Sequence, residues 1–468
     1  MLERLEVSII HLNNLERTKR IDAEFYSTEN LHASETMARK QIKSIQDVCL
    51  VSDGNHMSIS YDFQETGIPY YRGQDTCHTF IEDASPVCIS EKSYRLSVML
   101  RSHIHKGDVL LSIVGTVGNS SLVYEDNEAT CSCKLAILRP QDKDIYSEYL
   151  AVFCKTKYGQ NQIQKFRRGT VQTGLLLEDM DQISIPVLNT EFQEKIVDIT
   201  ENMYSLNSQA QQLYLTAKNL LLTDLGLIDY TPSKEQISVR SFKDIVNMGR
   251  LDAEYYQPKY DDLFVLLDKL PTKLLGEIVD IKKSIEPGST YYGDYGVPFI
   301  RVSDVSTTEI SAPSIRIPYN IVPSIEELYP KKDTILFSKD GSVGIAYKME
   351  EDIEAVTSGA LLHFHIKNNE EILPDYLTLV LNSDIVQLQA ERDASGAIIQ
   401  HWKPNDIANV VIPIFPYKVQ KEISDNMQQA FALRRRAQKL QKIAIMAVEI
   451  AIEKDEITAI AYINDNRI

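Results

Sequence analysis

Two long stretches of the chain, both free of glycine and proline, place apolar residues at alternating spacings of four and three. This heptad pattern predicts long helices with a narrow apolar seam, which suits packing against another helix rather than against a sheet. We therefore predict two long helices that pair as an antiparallel coiled coil. The seam positions that we single out are Ile199, Met203, Leu206, Leu213, Asn426, Leu433 and Leu440. Asn426 is polar, and it is either solvated near a frayed helix end or hydrogen-bonded so that it fixes the helix register.

The remaining chain consists of short apolar runs separated by Gly, Pro, Asn and Asp, as in residues 108–114 and 334–337. Such runs predict strands and turns. The expected fold class is α+β, with two globular α/β domains separated by the two long helices.

The chain repeats itself at an offset of about 227 residues. Arg20-Ile-Asp-Ala-Glu-Phe-Tyr26 matches Arg250-Leu-Asp-Ala-Glu-Tyr-Tyr256, and Ile68-Pro-Tyr-Tyr-Arg-Gly-Gln-Asp75 matches Val297-Pro-Phe-Ile-Arg-Val-Ser-Asp304. Further on, Gly115-Thr-Val-Gly118 matches Gly341-Ser-Val-Gly344, and the helix seams repeat in the same register. One unit is therefore present twice, as a pseudo-twofold internal repeat.

Local signals divide the chain into five segments. Gly226 and Thr231-Pro232-Ser233 end the first long helix, and Thr190 with Gln193 has the form of a capping box at its start. The predicted segments are a globular domain over 1–188, a long helix over 189–228, a linker and second globular domain over 229–415, a second long helix over 416–456, and a C-terminal tail over 457–468.

Composition and charge narrow the class of protein. The formal net charge of −17 argues against a protein that coats nucleic acid non-specifically, but it leaves room for local basic loops. No apolar run is long enough to cross a membrane and no signal peptide precedes the first domain, so we expect a cytoplasmic location. The pair Cys131-Ser-Cys133 lacks the spacing of a zinc knuckle, which favours structural cysteines over a metal site.

Motifs of catalysis are missing from the sequence. Neither Gly115-Thr-Val-Gly118 nor Gly341-Ser-Val-Gly344 is followed by the lysine of a phosphate loop, so we interpret both as turns between strands. The chain has no Pro-Pro dipeptide of the kind that amino-methyltransferases use to hold a flipped base, and no Glu-x-Lys of a metal-dependent nuclease. We therefore predict no catalytic residues, no bound metal and no cofactor.

Polar loops at equivalent points of the two repeats are the candidate binding residues. Arg167 and Arg168 suit phosphate or guanine, and Gln172 can pair with adenine. The candidates are Arg72, Gln74, Lys165, Arg167, Arg168, Thr170, Gln172, Thr173, Arg301, Ser303, Lys339, Ser395, Gln400, His401, Trp402 and Lys403. These loops could instead be ordinary solvated turns, and Arg72 with Asp75 or Arg301 with Asp304 could form internal salt bridges.

The order of globular domain, long helix, globular domain and long helix resembles the specificity subunits of type I restriction-modification systems. So do the Arg-Ile/Leu-Asp-Ala-Glu openings, Asp53-Gly-Asn-His56, Leu275-Gly-Glu-Ile278, and the Ile-Pro segments that precede Gln193 and Gln420. The helix openings depart from the family pattern in lacking its more usual Pro-Pro before the glutamine.

The resemblance implies a non-catalytic subunit that reads a bipartite, asymmetric target in double-stranded DNA. It also implies two docked methyltransferase subunits, which would hold S-adenosylmethionine, and it allows a restriction or other defence subunit as a further partner. A helix of about 33 residues is about 50 Å long, which matches half-sites about one and a half DNA turns apart. Two alternatives stay open: an adaptor of the same fold that binds a protein, and an undetected nuclease or transferase.

Overall fold

The computed structural model describes residues 7–10, 15, 20–169, 173–228, 230, 232–235, 237–396 and 399–466. The chain forms two compact units. Unit 1 consists of Met1–Ser208 with Leu433–Ile468, and unit 2 consists of Gln209–Ala432. Each unit therefore contains one globular half and a part of each long helix, whereas the sequence suggested contiguous segments.

The helices alternate with short strands along both halves of the chain. The helices are α1 (Thr28–Met37), α2 (Ile45–Val48), α3 (Glu91–Tyr94), α4 (Ser147–Lys155), α5 (Lys157–Lys165), α6 (Thr190–Asp224), α7 (Phe242–Met248), α8 (Pro258–Leu267), α9 (Leu275–Ile278), α10 (Pro374–Leu381), α11 (Asp384–Asp393), α12 (Pro404–Ala408), α13 (Tyr417–Glu453) and α14 (Glu456–Asp465).

The strands of the first half are β1 (Ile42–Ser44), β2 (Cys49–Asp53), β3 (Ile68–Tyr71), β4 (Val87–Ile89), β5 (Val109–Ser112), β6 (Ser120–Leu122), β7 (Thr130–Cys131), β8 (Leu135–Pro140) and β9 (Ser184–Pro186). Those of the second half are β10 (Thr272–Leu274), β11 (Val279–Lys283), β12 (Val297–Ile300), β13 (Arg316–Ile317), β14 (Ile335–Ser338), β15 (Asp340–Gly341), β16 (Ala346–Lys348), β17 (Val356–Thr357), β18 (Leu361–Ile366), β19 (Gln400–His401) and β20 (Val411–Pro413).

The two halves have the same sheet topology. Unit 1 has an antiparallel sheet in the order β2-β8-β5-β6, a second sheet in the order β4-β3-β7, and the pair β1-β9. Unit 2 repeats these as β11-β18-β14-β16, β13-β12-β17 and β10-β20. Side-chain contacts repeat as well, because the hydroxyls of Tyr149 and Tyr376 donate to the carbonyls of Pro186 and Pro413, at 2.7 and 2.9 Å. The predicted internal repeat is confirmed.

The central strands are buried on both faces, as their unbroken apolar runs suggest. All four residues of β5 and all four of β14 are buried. In unit 1 the helices α4 and α5 add Tyr149, Phe153 and Ile163 to the core that covers the sheet. In unit 2, Tyr376 and Ile385 of α10 and α11 do the same.

The long helices contribute to the core of each unit with opposite ends. In unit 1, Ile199, Met203 and Leu206 of α6 share a cluster with Leu440 and Ala444 of α13. In unit 2, the later residues Ala217 and Leu221 of α6 share a cluster with the earlier residues Ile423 and Met427 of α13. Early residues of one helix thus accompany late residues of the other, as an antiparallel pair requires.

The seam of α13 departs from the predicted register near Asn426. Met427, one position further on, is buried, whereas Asn426 is half-buried and its amide donates to the carbonyl of Glu422 in the preceding turn, at 2.9 Å. Leu213 and Leu433 are also half-buried. The side-chain hydrogen bond of Asn426 is therefore local to its own helix.

The start of α6 is fixed by tertiary contacts rather than by the predicted capping box. Asn189 caps the helix, since its Oδ1 accepts from the amide of Phe192 at 2.8 Å. The buried Gln193 donates to two carbonyls and accepts from one amide, those of Asp144, Leu188 and Tyr146. Gln420 makes the equivalent three bonds in unit 2, to Glu371, Phe415 and Leu373.

The predicted C-terminal tail is the helix α14. Asp455 caps this helix by accepting from the amide of Thr458 at 2.7 Å, and Ala459 and Ile463 are buried in the unit 1 core. Within the described ranges, none of the helices combines the length and apolarity that a membrane span needs.

Candidate nucleic-acid interface

In each unit, several loops meet at one end of the four-stranded sheet. Because its strands are antiparallel, β2 and β5 finish at the end where β8 and β6 begin, and loops 54–59, 113–119 and 132–134 lie together there. The strand β3 also finishes here, beside β7, which brings the loop after Tyr71 to the same place. We call this the loop end of unit 1, and its counterpart, with loops 284–288, 301–305, 339–345 and 358–360, the loop end of unit 2.

A short hairpin stands on each loop end. In unit 1, Arg168 and Gly174 exchange two backbone hydrogen bonds of 2.8 Å, and we call this pair with its described neighbours, 168–169 and 173–174, hairpin 1. In unit 2, Ser395 and His401 exchange backbone hydrogen bonds of 3.0 and 2.7 Å, and we call this pair with its described neighbours, 395–396 and 399–401, hairpin 2. The two hairpins lie 227 residues apart in sequence. Thr170 and Gln172, which the sequence singled out, lie outside the described residues.

Each hairpin rests on one of the repeated glycine turns. The amide of Gly115 donates to Thr173 at 3.2 Å, and Gly341 pairs with Gln400 in the ladder of β15 and β19. Gly115 and Gly341 have φ of 82° and 77°, which favours glycine. The interpretation of both segments as turns between strands is confirmed.

Three buried or nearly buried aspartates lie beneath the loop end of unit 1, and each pairs with an arginine. The pairs are Arg101 with Asp53, Arg72 with Asp75, and Arg168 with Asp179. Burial raises the pKa of Asp179, and the Arg168 guanidinium opposes this shift. The carboxylates lie below the surface and the guanidinium groups lie at the surface. The loop end of unit 1 therefore presents cations to solvent although the chain as a whole is acidic.

The internal salt-bridge alternative applies to both Arg-x-x-Asp motifs. Arg72 lies 3.5 Å from the Asp75 carboxylate and Arg301 lies 3.7 Å from that of Asp304. Gln74 and Ser303, inside the same loops, are exposed. The Gly73 carbonyl accepts from Thr116 at 3.0 Å, so the loop of Arg72 and Gln74 touches the glycine turn beneath hairpin 1.

The candidates of the basic cluster in unit 1 separate into exposed and structural side chains. Arg167 is exposed, and it donates to Gln164 at 3.3 Å. Lys165 lies at the end of α5 with its ammonium over the rings of Phe25 and Phe166, at 5.0 and 5.2 Å. Arg167 therefore reaches solvent beside hairpin 1, whereas Lys165 packs on the core.

Trp402 was predicted from the sequence as a binding residue, but the structure places it in the core. Its side chain is 1% exposed, packs against Phe337 at 5.8 Å between ring centroids, and cannot reach a base edge. Its neighbours His401 and Lys339 both contact the carboxylate of Asp340. Ser303, Ser395, Gln400, His401 and Lys403 are the exposed candidates of unit 2.

The repeated Arg-Ile/Leu-Asp-Ala-Glu motif supports the hairpins, a role that the sequence did not suggest. Arg20 forms a two-point ion pair with Asp22, at 2.8 and 2.9 Å, and donates to the carbonyl of Lys165 at the end of α5. Arg250 does the same with Asp252 and the carbonyl of Asp393. The motif therefore ties down the helix that leads into each hairpin, and its repetition was the available signal.

Lys134 was also missed. It is exposed in the loop between β7 and β8 at the loop end of unit 1.

All six cysteines are free thiols. In the described part of the chain, no three His, Cys, Asp or Glu side chains cluster as a metal site would require.

These features define a class of protein: two equivalent α/β units, each with a cationic or polar hairpin and with a part of each long helix. The family model described as "Type I restriction modification DNA specificity domain" matches residues 37–214 and 269–444. The chain belongs to this family.

Individual relatives are more distant. The Type I restriction enzyme EcoBI specificity subunit of Escherichia coli is 25% identical over 124 residues, a match that spans 26% of this chain and 26% of that relative. The type I restriction-modification S subunit from M. genitalium is 14% identical, with 89% of this chain and 95% of that chain covered and a TM-score of 0.38. The HsdS subunit from Thermoanaerobacter tengcongensis is 17% identical, with 89% and 97% covered and a TM-score of 0.29.

Proposed function

We propose that this chain is a DNA sequence-specificity subunit that reads a bipartite, asymmetric target in double-stranded DNA. The pair of equivalent hairpins at the loop ends of two units, in a chain of the DNA specificity family, carries the proposal. The units share a topology, but their hairpins differ in sequence, so each is expected to read its own half-site.

The size and chemistry of the hairpins suit groove recognition. A two-stranded ribbon fits the major groove, which is about 12 Å wide. Arg167 beside hairpin 1 can donate two hydrogen bonds to guanine, and Gln400 of hairpin 2 can pair with adenine. Lys403 and Lys134 are exposed cations that can meet phosphates.

The modifying chemistry is proposed to belong to partners. We assign no catalytic residue to this chain, and S-adenosylmethionine would be held by methyltransferase subunits, two in number to match the two copies of the repeat. These subunits would dock on the long helices, where Leu215 and Met446 are exposed apolar side chains. A restriction or other defence subunit is a further expected partner.

The test uses the full chain in complex with its methyltransferase and a pool of random duplexes. We expect enrichment of one gapped, asymmetric motif. Replacing Arg167 and Gln172 by alanine should weaken selection of one half-site, and Gln400→Ala should weaken the other, each by about tenfold or more. The hairpins serve as each other's control. A complex that enriches no motif would exclude the proposal, and loss of both half-sites in either variant would exclude the assignment of hairpins to half-sites.

One observation favours a second function, that of an adaptor whose loop ends bind a protein. The formal net charge of −17 is natural for such a protein. Specific DNA binding weakens steeply with salt because counterions are released. Association with duplex DNA that is absent, or that does not change with salt, would favour the adaptor.

A further inference from the structure

Asp53, at the end of β2, organises a cluster of charged and polar side chains outside the two hairpins. One carboxylate oxygen lies 2.5 Å from Nε2 of His56, and the other forms an ion pair with the guanidinium of Arg101. The Asp53 side chain is 11% exposed, whereas those of His56 and Arg101 are 61% and 55% exposed. A nearly buried acid therefore holds an imidazole and a guanidinium side by side at the surface.

The loop that carries His56 is held by close backbone packing and by hydrogen bonds of its own side chains. A Cβ atom at Gly54 would overlap the carbonyl oxygens of Cys131 and Ser132, so only glycine fits this close approach. The buried Asn55 donates to the carbonyl of Met57 and accepts from its amide, both at 2.8 Å. The imidazole is therefore preorganised, and a ligand that binds it orders little additional chain.

The cluster lies at the loop end of unit 1, in line with hairpin 1. The carbonyl of Asn55 accepts from Cys133, the amide of Ile113 donates to Lys134, and the amide of Gly115 donates to Thr173 of the hairpin. These three hydrogen bonds join four adjacent backbone segments. At a spacing of about 4.8 Å per pair, the loop of His56 lies about 14 Å from hairpin 1. Along a duplex this distance is about four base pairs.

We propose that His56 and Arg101 together bind one backbone phosphate of the DNA, beside the half-site that hairpin 1 reads. This inference rests on the proposed function. Both side chains contact the carboxylate of Asp53, which keeps them at the protein surface. They can therefore donate to the DNA backbone but do not extend into a DNA groove. The guanidinium of Arg101 and the Nδ1–H of a protonated His56, whose Nε2 faces Asp53, give two donors in fixed geometry that suit a phosphate oxygen pair. Asp53 acts as a positioning residue.

Among the described residues of unit 2, no equivalent cluster occupies this place. In the alignment of β2 with β11, Lys283 stands at the position of Asp53 and Glu286 at that of His56. Glu286 lies close to Gly359: a Cβ atom placed on Gly359 would be 2.9 Å from Oε1 of Glu286. The phosphate contact is therefore specific to the first half-site, and this asymmetry makes the proposal testable within one molecule.

The experiment measures the dissociation constant of the full chain, in its methyltransferase complex, for its selected duplex between 50 and 200 mM salt. Loss of one phosphate contact lowers the slope of log K against log salt by about 0.9. Over a fourfold change in salt this is a change of about 3.5-fold in the ratio of the two dissociation constants. We expect this change for Arg101→Ala, its absence for Arg101→Lys, and weaker binding at every salt concentration for His56→Ala.

Lys43→Ala is the matched control. Lys43 pairs with Asp142 at 2.5 Å, beyond the opposite ends of the same strands, and its loss should leave the slope unchanged. Selection of base pairs should be the same in all variants. An unchanged slope and affinity for Arg101→Ala, or altered preference at one base pair, would overturn the phosphate assignment. A wild-type complex without sequence preference would instead overturn the proposed function.

Discussion

Lys348 and Asp375 form a buried ion pair whose removal gives the sharpest test of the packing in unit 2. The ammonium of Lys348 lies 2.6 Å from Asp375 and 3.1 Å from Glu350, and the Lys348 and Asp375 side chains are 4% and 3% exposed. The second oxygen of Asp375 accepts from Gln428 of α13 at 2.8 Å. The pair therefore joins β16, α10 and the long helix.

Lys348→Met leaves the carboxylate of Asp375 buried without its cation. Removing one member of a buried pair costs about 3–5 kcal/mol, whereas replacing both by apolar residues of similar size is often close to neutral. Burial disfavours the charged form of Lys348, but the attraction of Asp375 and Glu350 outweighs it, so its pKa is raised above 10.5. The contribution to stability is thus present below pH 10.5 and is lost only as the pH rises through the folded-state pKa.

Hydrogen exchange measures this effect separately in each unit, which global unfolding of a two-unit chain does not. Amides of β16 and α10 should exchange about two to four orders of magnitude faster in Lys348→Met, and those of β6 and α4 should not change. The double variant Lys348→Met with Asp375→Leu should recover most of the protection. Equal protection in the single and double variants would refute the reasoning.

Two further predictions concern stability. His363 contacts the hydroxyl of Thr357 at 2.7 Å, and burial lowers its pKa from 6.5 to about 4. The unfolded chain binds a proton at this imidazole below pH 6.5, whereas the folded chain binds it only near pH 4. The free energy of unfolding of unit 2 should therefore fall by about 3 kcal/mol as the pH falls through that window. Acid titration of His363→Gln should show no such dependence. In hydrogen exchange of the unit 1 amides, Leu206→Asp should lower the protection by about 4 kcal/mol and Leu433→Asp by less, because Leu206 is buried and Leu433 is half-buried; equal losses would contradict this.

Charge placement reconciles the acidic chain with a nucleic-acid partner. The aspartates beneath the loop end of unit 1 are oriented towards arginines, and Arg167 and Lys134 add exposed cations there. Exposed charges more than about 8–10 Å apart are largely screened at physiological salt. A ligand at the loop end therefore meets the local cations rather than the net charge of the whole molecule.

The sequence by itself determined the features that depend on local periodicity and backbone conformation. Heptad spacing gave the two long helices, the offset between segments gave the repeat, and Gly115 and Gly341 marked turns because a positive φ favours glycine. The equivalent placement of the two polar loops followed from the repeat, but their backbone pairing into hairpins was not predicted.

Only the tertiary structure decided which side chains of those loops reach the surface. Trp402 is in the core while its neighbour Gln400 is exposed, and Arg168 pairs with the buried Asp179 while the exposed Arg167 donates to Gln164. The start of α6 is fixed by Gln193 and Asn189 rather than by the capping box that spacing suggested. Exposure and ion pairing depend on residues brought together from distant parts of the chain, and no local pattern records those neighbours.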